Sequence, residues 1–260
     1  MTETCYPTHL TDEQWQLIKP HLPPPKKRGR PPTDRRKVVN ALLYWVRAGC
    51  QWRMLPADFG PWKTVYHYYR IWQRAGHWIY LHDRLRALVR KAAGKDVRPT
   101  AAILDSQTIR SADHTGETGF DAAKKTKGRK RHLLVDTLGM LLAVCVTPAC
   151  TPERAGARQL LEGALRWFGW LRRLWCDSGY NGPEFAAWVR TQRRKLAVEV
   201  VPRRAGQRGF AVLPKRWIIE RTFGWLMKQR RLVRDYEAKP EHAETTVYIA
   251  MIGIMVRKLA

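Results

Sequence analysis

Pro214-Lys215-Arg216-Trp217-Ile218-Ile219-Glu220-Arg221-Thr222-Phe223-Gly224-Trp225-Leu226 decides how the chain is read. Proline stands where a helix begins, and no breaker follows before Gly224. At 3.6 residues per turn, Ile218, Ile219, Phe223, Trp225 and Leu226 gather on one side as a core-facing stripe. Glu220 points the other way, with Arg216 one turn before it and Arg231 three turns after it. Taken alone, that carboxylate has two readings. It is either an exposed i, i+4 ion pair worth about 0.3 kcal/mol, or a functional group on the open face of a buried helix.

Upstream, the pattern is that of an α/β domain. Residues 101–104 read as a short apolar strand with Asp105 at its end, and residues 111–126 as a loop. Residues 131–135 and 140–146 read as two strands joined by the turn Asp136-Thr137-Leu138-Gly139. A helix over 153–168, a strand over 171–176 ending at Asp177, a helix over 183–194 and a strand over 197–201 follow. The order predicts a mixed sheet with helices on both sides, spanning residues 99–260.

Three aspartates therefore fall at strand ends. Asp136 is accounted for by its turn, where an aspartate bonds its own backbone. Asp105 and Asp177 are different: if their strands are neighbours, both side chains emerge at the same rim of the sheet, and the last helix can bring Glu220 to them. Three converging carboxylates stay ionised only if cations share the site. Hard oxygen donors of this kind suit Mg²⁺ or Mn²⁺. Two such ions roughly 3.5–4 Å apart serve an in-line phosphoryl displacement.

Residues 1–98 read as a helical domain of helix-turn-helix type. Thr11-Asp12-Glu13-Gln14 opens its first helix as a capping box, and Asp34 caps a second that Gly49 ends. Between them lies a Pro-rich basic segment, 23–32, whose Arg28-Gly29-Arg30-Pro31 is similar to an AT-hook. Arg28 and Arg30 there suit a narrow minor groove, and a stiff charged linker is the compatible alternative. The third helix, starting at Trp62, carries two stripes. Trp62, Val65, Tyr69 and Trp72 face the core, while Lys63, His67, Arg70 and Arg74 form a polar face. A helix in a major groove presents such a face to phosphates and bases; a merely solvated basic face is the alternative.

The charge favours the DNA reading. Lys and Arg outnumber Asp and Glu 48 to 22, giving a net charge of +26, which calls for a polyanionic partner. Residues 1–98 carry 19 basic and 7 acidic side chains and residues 99–260 carry 29 and 15, so both parts are expected to touch the backbone of double-stranded DNA. Five scattered cysteines without a C-x-x-C pair argue against a zinc site and for a reducing compartment. No signal peptide, lipidation signal or spanning segment is read, so a cytoplasmic, DNA-associated protein is expected, with no membrane partner.

Ile103-Leu104-Asp105-Ser106, Trp175-Cys176-Asp177-Ser178-Gly179-Tyr180-Asn181 and Arg216-(three residues)-Glu220-Arg221-Thr222-Phe223-Gly224-Trp225-Leu226 resemble the DDE transposases of bacterial insertion sequences. Within them, the group with a short helical N-terminal domain opening Leu-Thr-Asp-Glu-Gln-Trp is the most similar. The resemblance covers nearly the whole chain. It implies an RNase H-like catalytic fold, Asp105, Asp177 and Glu220 as the metal-binding catalytic triad, and Arg216 as a phosphate contact in a Tyr-Arg-Glu-Lys signature. Two positions depart from it: Leu213 stands for the tyrosine and Met227 for the lysine, leaving Lys228 or Arg231 as substitutes.

The expected function is that of a transposase. It binds the terminal inverted repeats of its element, cleaves them with metal-activated water, and joins the freed 3′-OH to target DNA, as a homodimer. Residues 247–256 are a candidate contact between copies, with core packing the alternative for that stretch. An RNase H-like nuclease without joining activity and a non-catalytic DNA-binding regulator are the other readings.

Overall fold

The computed structural model describes residues 5–24, 33–201 and 215–260. Arg28 and Arg30, and likewise Leu213 and Pro214, lie outside the described residues. The chain forms two compact units. The first is Met1–Gly94 with Leu226–Val233 and Thr245–Ala260; the second is Lys95–Trp225 with Arg234–Glu244. The division of the N-terminal part falls between Gly94 and Lys95, near the expected 98/99, and two late segments group with the first unit.

In the first unit, α1 (Asp12–Ile18) opens on the capping box: Thr11 Oγ1 accepts from Gln14 N–H and Gln14 Oε1 accepts from Thr11 N–H, both at 3.2 Å. Asp34 caps α2 (Arg35–Ala48), which ends at Gly49 in the left-handed region, φ 73°. The helices α3 (Trp62–Arg74) and α4 (His77–Ala92) complete the N-terminal part. As the periodicity predicts, Val65, Tyr69 and Trp72 of α3 are buried, while Lys63, His67 and Arg74 are exposed and Arg70 is half-buried. Trp45 stacks on Trp52 with ring centroids 4.1 Å apart. The short α8 (Arg230–Val233) and most of α9 (Pro240–Leu259) belong to this unit. Val247, Ile249, Met251, Ile252, Met255 and Val256 are buried in it, so that stretch is core and not a free face for a second copy.

The second unit is built on a six-stranded mixed sheet. Strands β1 (Ala101–Arg110), β3 (Thr126–Asp136) and β4 (Leu141–Pro148) are antiparallel neighbours, and the short β2 (Gly119–Asp121) continues the β4 edge of β3. On the other side of β1, β5 (Arg173–Cys176) and β6 (Ala197–Val200) add in parallel. This is the RNase H-like arrangement. Ala102, Leu104, Leu134, Leu142 and Leu174 face one side and bury against α5 (Glu153–Ala164) and α6 (Pro183–Gln192). The helix α7 (Arg216–Met227) meets the other face, where Lys215 Nζ lies 4.3 Å over the Trp175 ring.

β1 is longer than its apolar start suggests. It runs on through Ser106-Gln107-Thr108-Ile109-Arg110, because β3 pairs with it as far as Arg110 opposite Gly128. Asp105 therefore sits inside a strand and not at its end. Asp136 behaves as its turn demands: fully buried, its Oδ1 accepts from Leu138 N–H at 2.8 Å and Met140 N–H at 2.9 Å.

The seat of α5 is set by one glycine. A methyl at Gly156 would lie 2.0 Å from His132 Nε2. The His132 ring is fully buried and hydrogen-bonded to Thr147 Oγ1 at 3.0 Å, so it has nowhere to go. Gly156→Ala is expected to lift α5 from the sheet and to cost about 1–3 kcal/mol, as overpacked cores do. Chemical unfolding of the two proteins measures this, and an unchanged midpoint would refute the close seating.

Candidate active site

The parallel pairing of β1 with β5 sets two carboxylates side by side. Ala101 pairs with Arg173 and Ile103 with Trp175. The same register carried two residues further puts Asp105 beside Asp177, on one face of the sheet, since side chains alternate along a strand. At that point β5 has ended and β1 has not, and this step makes the rim that the sequence placed at a strand end.

Both aspartates are fixed by backbone groups. Asp105 Oδ1 accepts from Ser106 N–H at 2.7 Å. Asp177, extended at φ −84° and ψ −179°, accepts on Oδ1 from Gly179 N–H at 2.9 Å. Burial raises the pKa of Asp105 to about 7, the Ser106 N–H works against it, and the neighbouring Asp177 and Glu153 raise it further while Arg216 lowers it. Cys176, the last residue of β5, faces the opposite core, away from the two aspartates, and burial pushes its thiol up to about 12.

Arg216 joins the third carboxylate to this pair. Its Nη2 lies 3.7 Å from Asp177 Oδ2 and 3.5 Å from Glu220 Oε1, one turn along α7. The side chain of Arg216 is 12% exposed and that of Glu220 44%. One guanidinium nitrogen thus holds an ion pair with a strand-end aspartate and with a helix glutamate 43 residues further on.

Two docks hold α7 at this place. At its start, Lys215 adopts a left-handed φ of 71°, an unfavourable conformation for a lysine. It is kept there by the Trp175 face and by Glu199, whose Oε2 lies 3.6 Å from Lys215 Nζ and accepts from Trp175 Nε1–H at 2.6 Å. Trp175 and the flanking cations Arg173 and Lys215 hold the Glu199 carboxyl below its usual range. Further along, Thr222 Oγ1 donates to Gly139 O and Arg221 Nη2 to Leu138 O, both at 2.9 Å, fastening α7 to the Asp136 turn. Ile219, Thr222 and Leu226 are fully buried, while Trp225 is only half-buried and stacks with Trp217 on either side of the Arg221 guanidinium.

Glu153 was not singled out in the sequence. It opens α5, accepts from Ser106 Oγ at 3.1 Å and lies 3.8 Å from Lys124 Nζ. Its signal was the Pro152-Glu153 start of a helix directly after a strand, a place where side chains reach the sheet rim. Among the described residues, no group of three His, Cys, Asp or Glu side chains is drawn in tightly enough to enclose a metal ion. Arg216 stands between Asp177 and Glu220.

Of the basic residues expected to touch DNA, Lys63, His67, Arg74 and Lys228 are exposed. Arg70 donates to Tyr66 Oη at 3.1 Å and keeps part of its surface. Arg231 is a correction: it is 7% exposed, donates to Cys50 O at 3.2 Å and lies 4.5 Å over the Trp45 ring. The core of the first unit uses it, and it is not open to DNA.

A family described as putative transposase of the IS4/5 family matches residues 10–82, and one described as transposase DDE domain matches residues 97–256. The insertion element IS402 uncharacterized 16.2 kDa protein of Burkholderia cepacia is 39% identical over 109 residues, which cover 39% of this chain and 73% of that protein. The uncharacterized protein y4sN of Sinorhizobium fredii is 31% identical over 120 residues, 46% of this chain and 86% of that protein. No solved structure matches. With well over half its length inside the DDE-domain family and its helical start in the IS4/5 family, the chain belongs to the DDE transposases of insertion sequences.

Proposed function

We propose that this transposase works in the bacterial cytoplasm as a homodimer on double-stranded DNA. It binds the terminal inverted repeats of its element, cleaves their phosphodiester bonds and transfers the ends to target DNA, with two Mg²⁺ (or Mn²⁺) ions per site held by Asp105, Asp177 and Glu220. The observation that carries this reading is the Arg216 nitrogen shared by Asp177 and Glu220, on a helix docked over the strand pair that bears Asp105. The donor set suits such ions, being carboxylate oxygens alone. Asp105 adds a charge that burial and neighbouring carboxylates oppose, and a divalent cation would offset it.

Bound there, the ions would activate an attacking oxygen and stabilise the leaving one in an in-line displacement. The chain's own groups do the rest. Asp105 and Asp177, tied to backbone N–H groups, give fixed oxygens. Glu220, the most exposed of the three, closes the site from α7. Arg216, released from the two carboxylates it now bridges, turns its guanidinium to two oxygens of a phosphate, a bidentate contact that lysine cannot copy. Lys63, His67, Arg70 and Arg74 of α3, with Lys228, hold the duplex backbone.

Cleavage and joining assays test this. Asp105→Asn, Asp177→Asn and Glu220→Gln are each expected to lower Mg²⁺-dependent cleavage of end-containing DNA by roughly 10³-fold or more while end binding persists; any one of them cleaving normally sinks the triad. A wild-type protein that cleaves but never joins a pre-nicked end to target DNA is a nuclease.

The raised pKa of Asp105 has a stability sign. Its folded-state pKa of about 7 lies above the ordinary 3.8, so ionisation costs the fold. That cost is absent below about pH 4, grows up to about pH 7 and then levels, reaching on the order of 2 kcal/mol after solvent screening. In metal-free protein, Asp105→Asn should match wild type at low pH and exceed it in unfolding midpoint above neutrality. Equal midpoints across the range would contradict the buried charge.

DNA affinity should fall steeply with salt, by roughly 10³–10⁵ between 50 and 200 mM if 6–10 phosphates are contacted. Replacing Lys63 and Arg74 together by Gln is expected to reduce the slope of log K against log salt by about two. An unchanged slope would remove α3 from the interface.

A further inference from the structure

The loop between β1 and β2 is held more firmly than a connecting segment needs. Ser111 forms a parallel bridge with Asp235. Asp235 N–H donates to Arg110 O and Ala112 N–H to Asp235 O, both at 2.8 Å. Thr115 Oγ1 donates to Asp235 O and Gly116 N–H to Ala238 O, both at 3.2 Å. Glycine is required for this approach, since a methyl at Gly116 would lie 2.6 Å from Ala238 O. Beneath, the buried Arg129 ties the two segments together: Nε donates to Glu117 O at 3.0 Å and Nη1 pairs with Asp235 Oδ2 at 3.2 Å.

The loop so fixed walls a pocket of about 330 Å³ that lies wholly within the second unit. Small-ligand clefts run from roughly 300 to 1,000 Å³, so this one suits a phosphate with part of its sugar and not a large cofactor. Arg110, Lys127 and Arg234 line it together with Ser111, Ala112 and Asp113. The three cations are exposed, and among the described residues none of them forms an ion pair, even with Asp113 in the same wall. Three positive charges against that one carboxylate leave the pocket an excess of two. Arg234 Nε–H donates to Ser111 O at 3.2 Å, which keeps the guanidinium at the wall with both Nη groups to spare. Ser111 Oγ, in the same wall, is shielded from solvent and has no hydrogen-bond partner. Guanidinium forks, an ammonium and a hydroxyl around a small, rigid cavity match the oxygens of a phosphate, and the rigidity keeps the ordering cost of binding low.

We propose that this pocket is a phosphate-binding site through which the second unit holds the DNA backbone on its own account. This rests on the DNA reading above and gives the sheet a grip separate from the α3 stripe. Its place favours a long polyanion over a free nucleotide. Arg110 lies five residues along β1 from Asp105, roughly 17 Å at about 3.3 Å per residue. That is about five base-pair rises of a duplex, so DNA engaged at Asp105 is long enough to reach the pocket with a phosphate.

The test is binding of the full chain to an end-containing duplex and to an unrelated duplex, by fluorescence anisotropy over a range of salt. Arg110→Gln combined with Lys127→Gln is expected to weaken both by the same factor, about tenfold, since a phosphate contact carries no sequence information. The slope of log K against log salt should fall by about one. Arg194→Gln with Lys195→Gln removes the same charge from exposed positions before β6 and should cost much less. Asp113→Asn should bind both duplexes more tightly than wild type; if the pocket pair does not fold, this variant carries the test. An equal loss from the Arg194 and Lys195 pair would show an effect of net charge and overturn the inference. Wild-type affinity in the pocket pair, or in Asp113→Asn where it must serve, would overturn it too, as for a pocket that takes free phosphate only, and would leave the triad standing. A wild-type protein that binds neither duplex would remove the DNA reading and this inference together.

Discussion

Everything at the rim of the sheet depends on where α7 is pinned. A helix with an apolar stripe can roll or slide on a sheet at little cost, since hydrophobic contact is non-directional. Directional groups prevent that here. The Thr222 and Arg221 bonds to the Gly139 and Leu138 carbonyls fix one part of the helix, and the Lys215 contact with Trp175 and Glu199 fixes its start. Between them Arg216 and Glu220 have one place to go. The strained φ of Lys215 is then understandable: the turn into α7 is bent so that Arg216 arrives over Asp177.

The site so made is electrostatically unsatisfied by design of its parts. Asp105 is half-buried beside Asp177 and Glu153, and Arg216 divides itself between two partners at 3.5 and 3.7 Å, too far for strong charge-assisted bonds. An arginine meant only for stability would pair closely with one carboxylate, as Arg129 does with Asp235 at 3.2 Å while donating to three carbonyl oxygens besides. The contrast is between a guanidinium whose donors are fully used and one shared loosely between two carboxylates.

Much of this was legible in the sequence because it was local. The Thr11 capping box, the Asp34 cap, the Gly49 stop and the Asp136 turn are short-range devices whose chemistry is written in three or four consecutive residues. Asp105, Asp177 and the Arg216–Glu220 spacing were legible for the same reason, each ending an apolar run or lying one helical turn apart. What was not legible is set by distant partners. β1 runs past Asp105 because β3 is there to pair with it, and Ser106-Gln107-Thr108 gives no apolar hint of a strand. Glu153 comes within reach of the Ser106 hydroxyl through the seating of α5 on His132, a contact between residues far apart in the chain. Arg231 looked like an available cation because spacing on a helix says nothing of a tryptophan from another segment.

Arg231 also changes how the net charge should be read. A balance of +26 suggests a surface crowded with phosphate-binding groups. Yet Arg86, Arg90, Arg129, Lys130, Arg131 and Arg231 are each less than a tenth exposed. Burial and the nearby Asp235 and Glu237 act in opposite senses on Arg131, and burial wins, bringing its pKa down to about 10, still charged at neutral pH. Guanidinium groups suit such places because each offers five donors in a fixed fork, enough to satisfy several carbonyl oxygens where chain segments cross. Part of the basic excess is therefore internal fastening. The electrostatic case for DNA has to rest on side chains that keep their faces to solvent, and on that footing the α3 stripe and Lys228 carry it, while the buried arginines carry the fold.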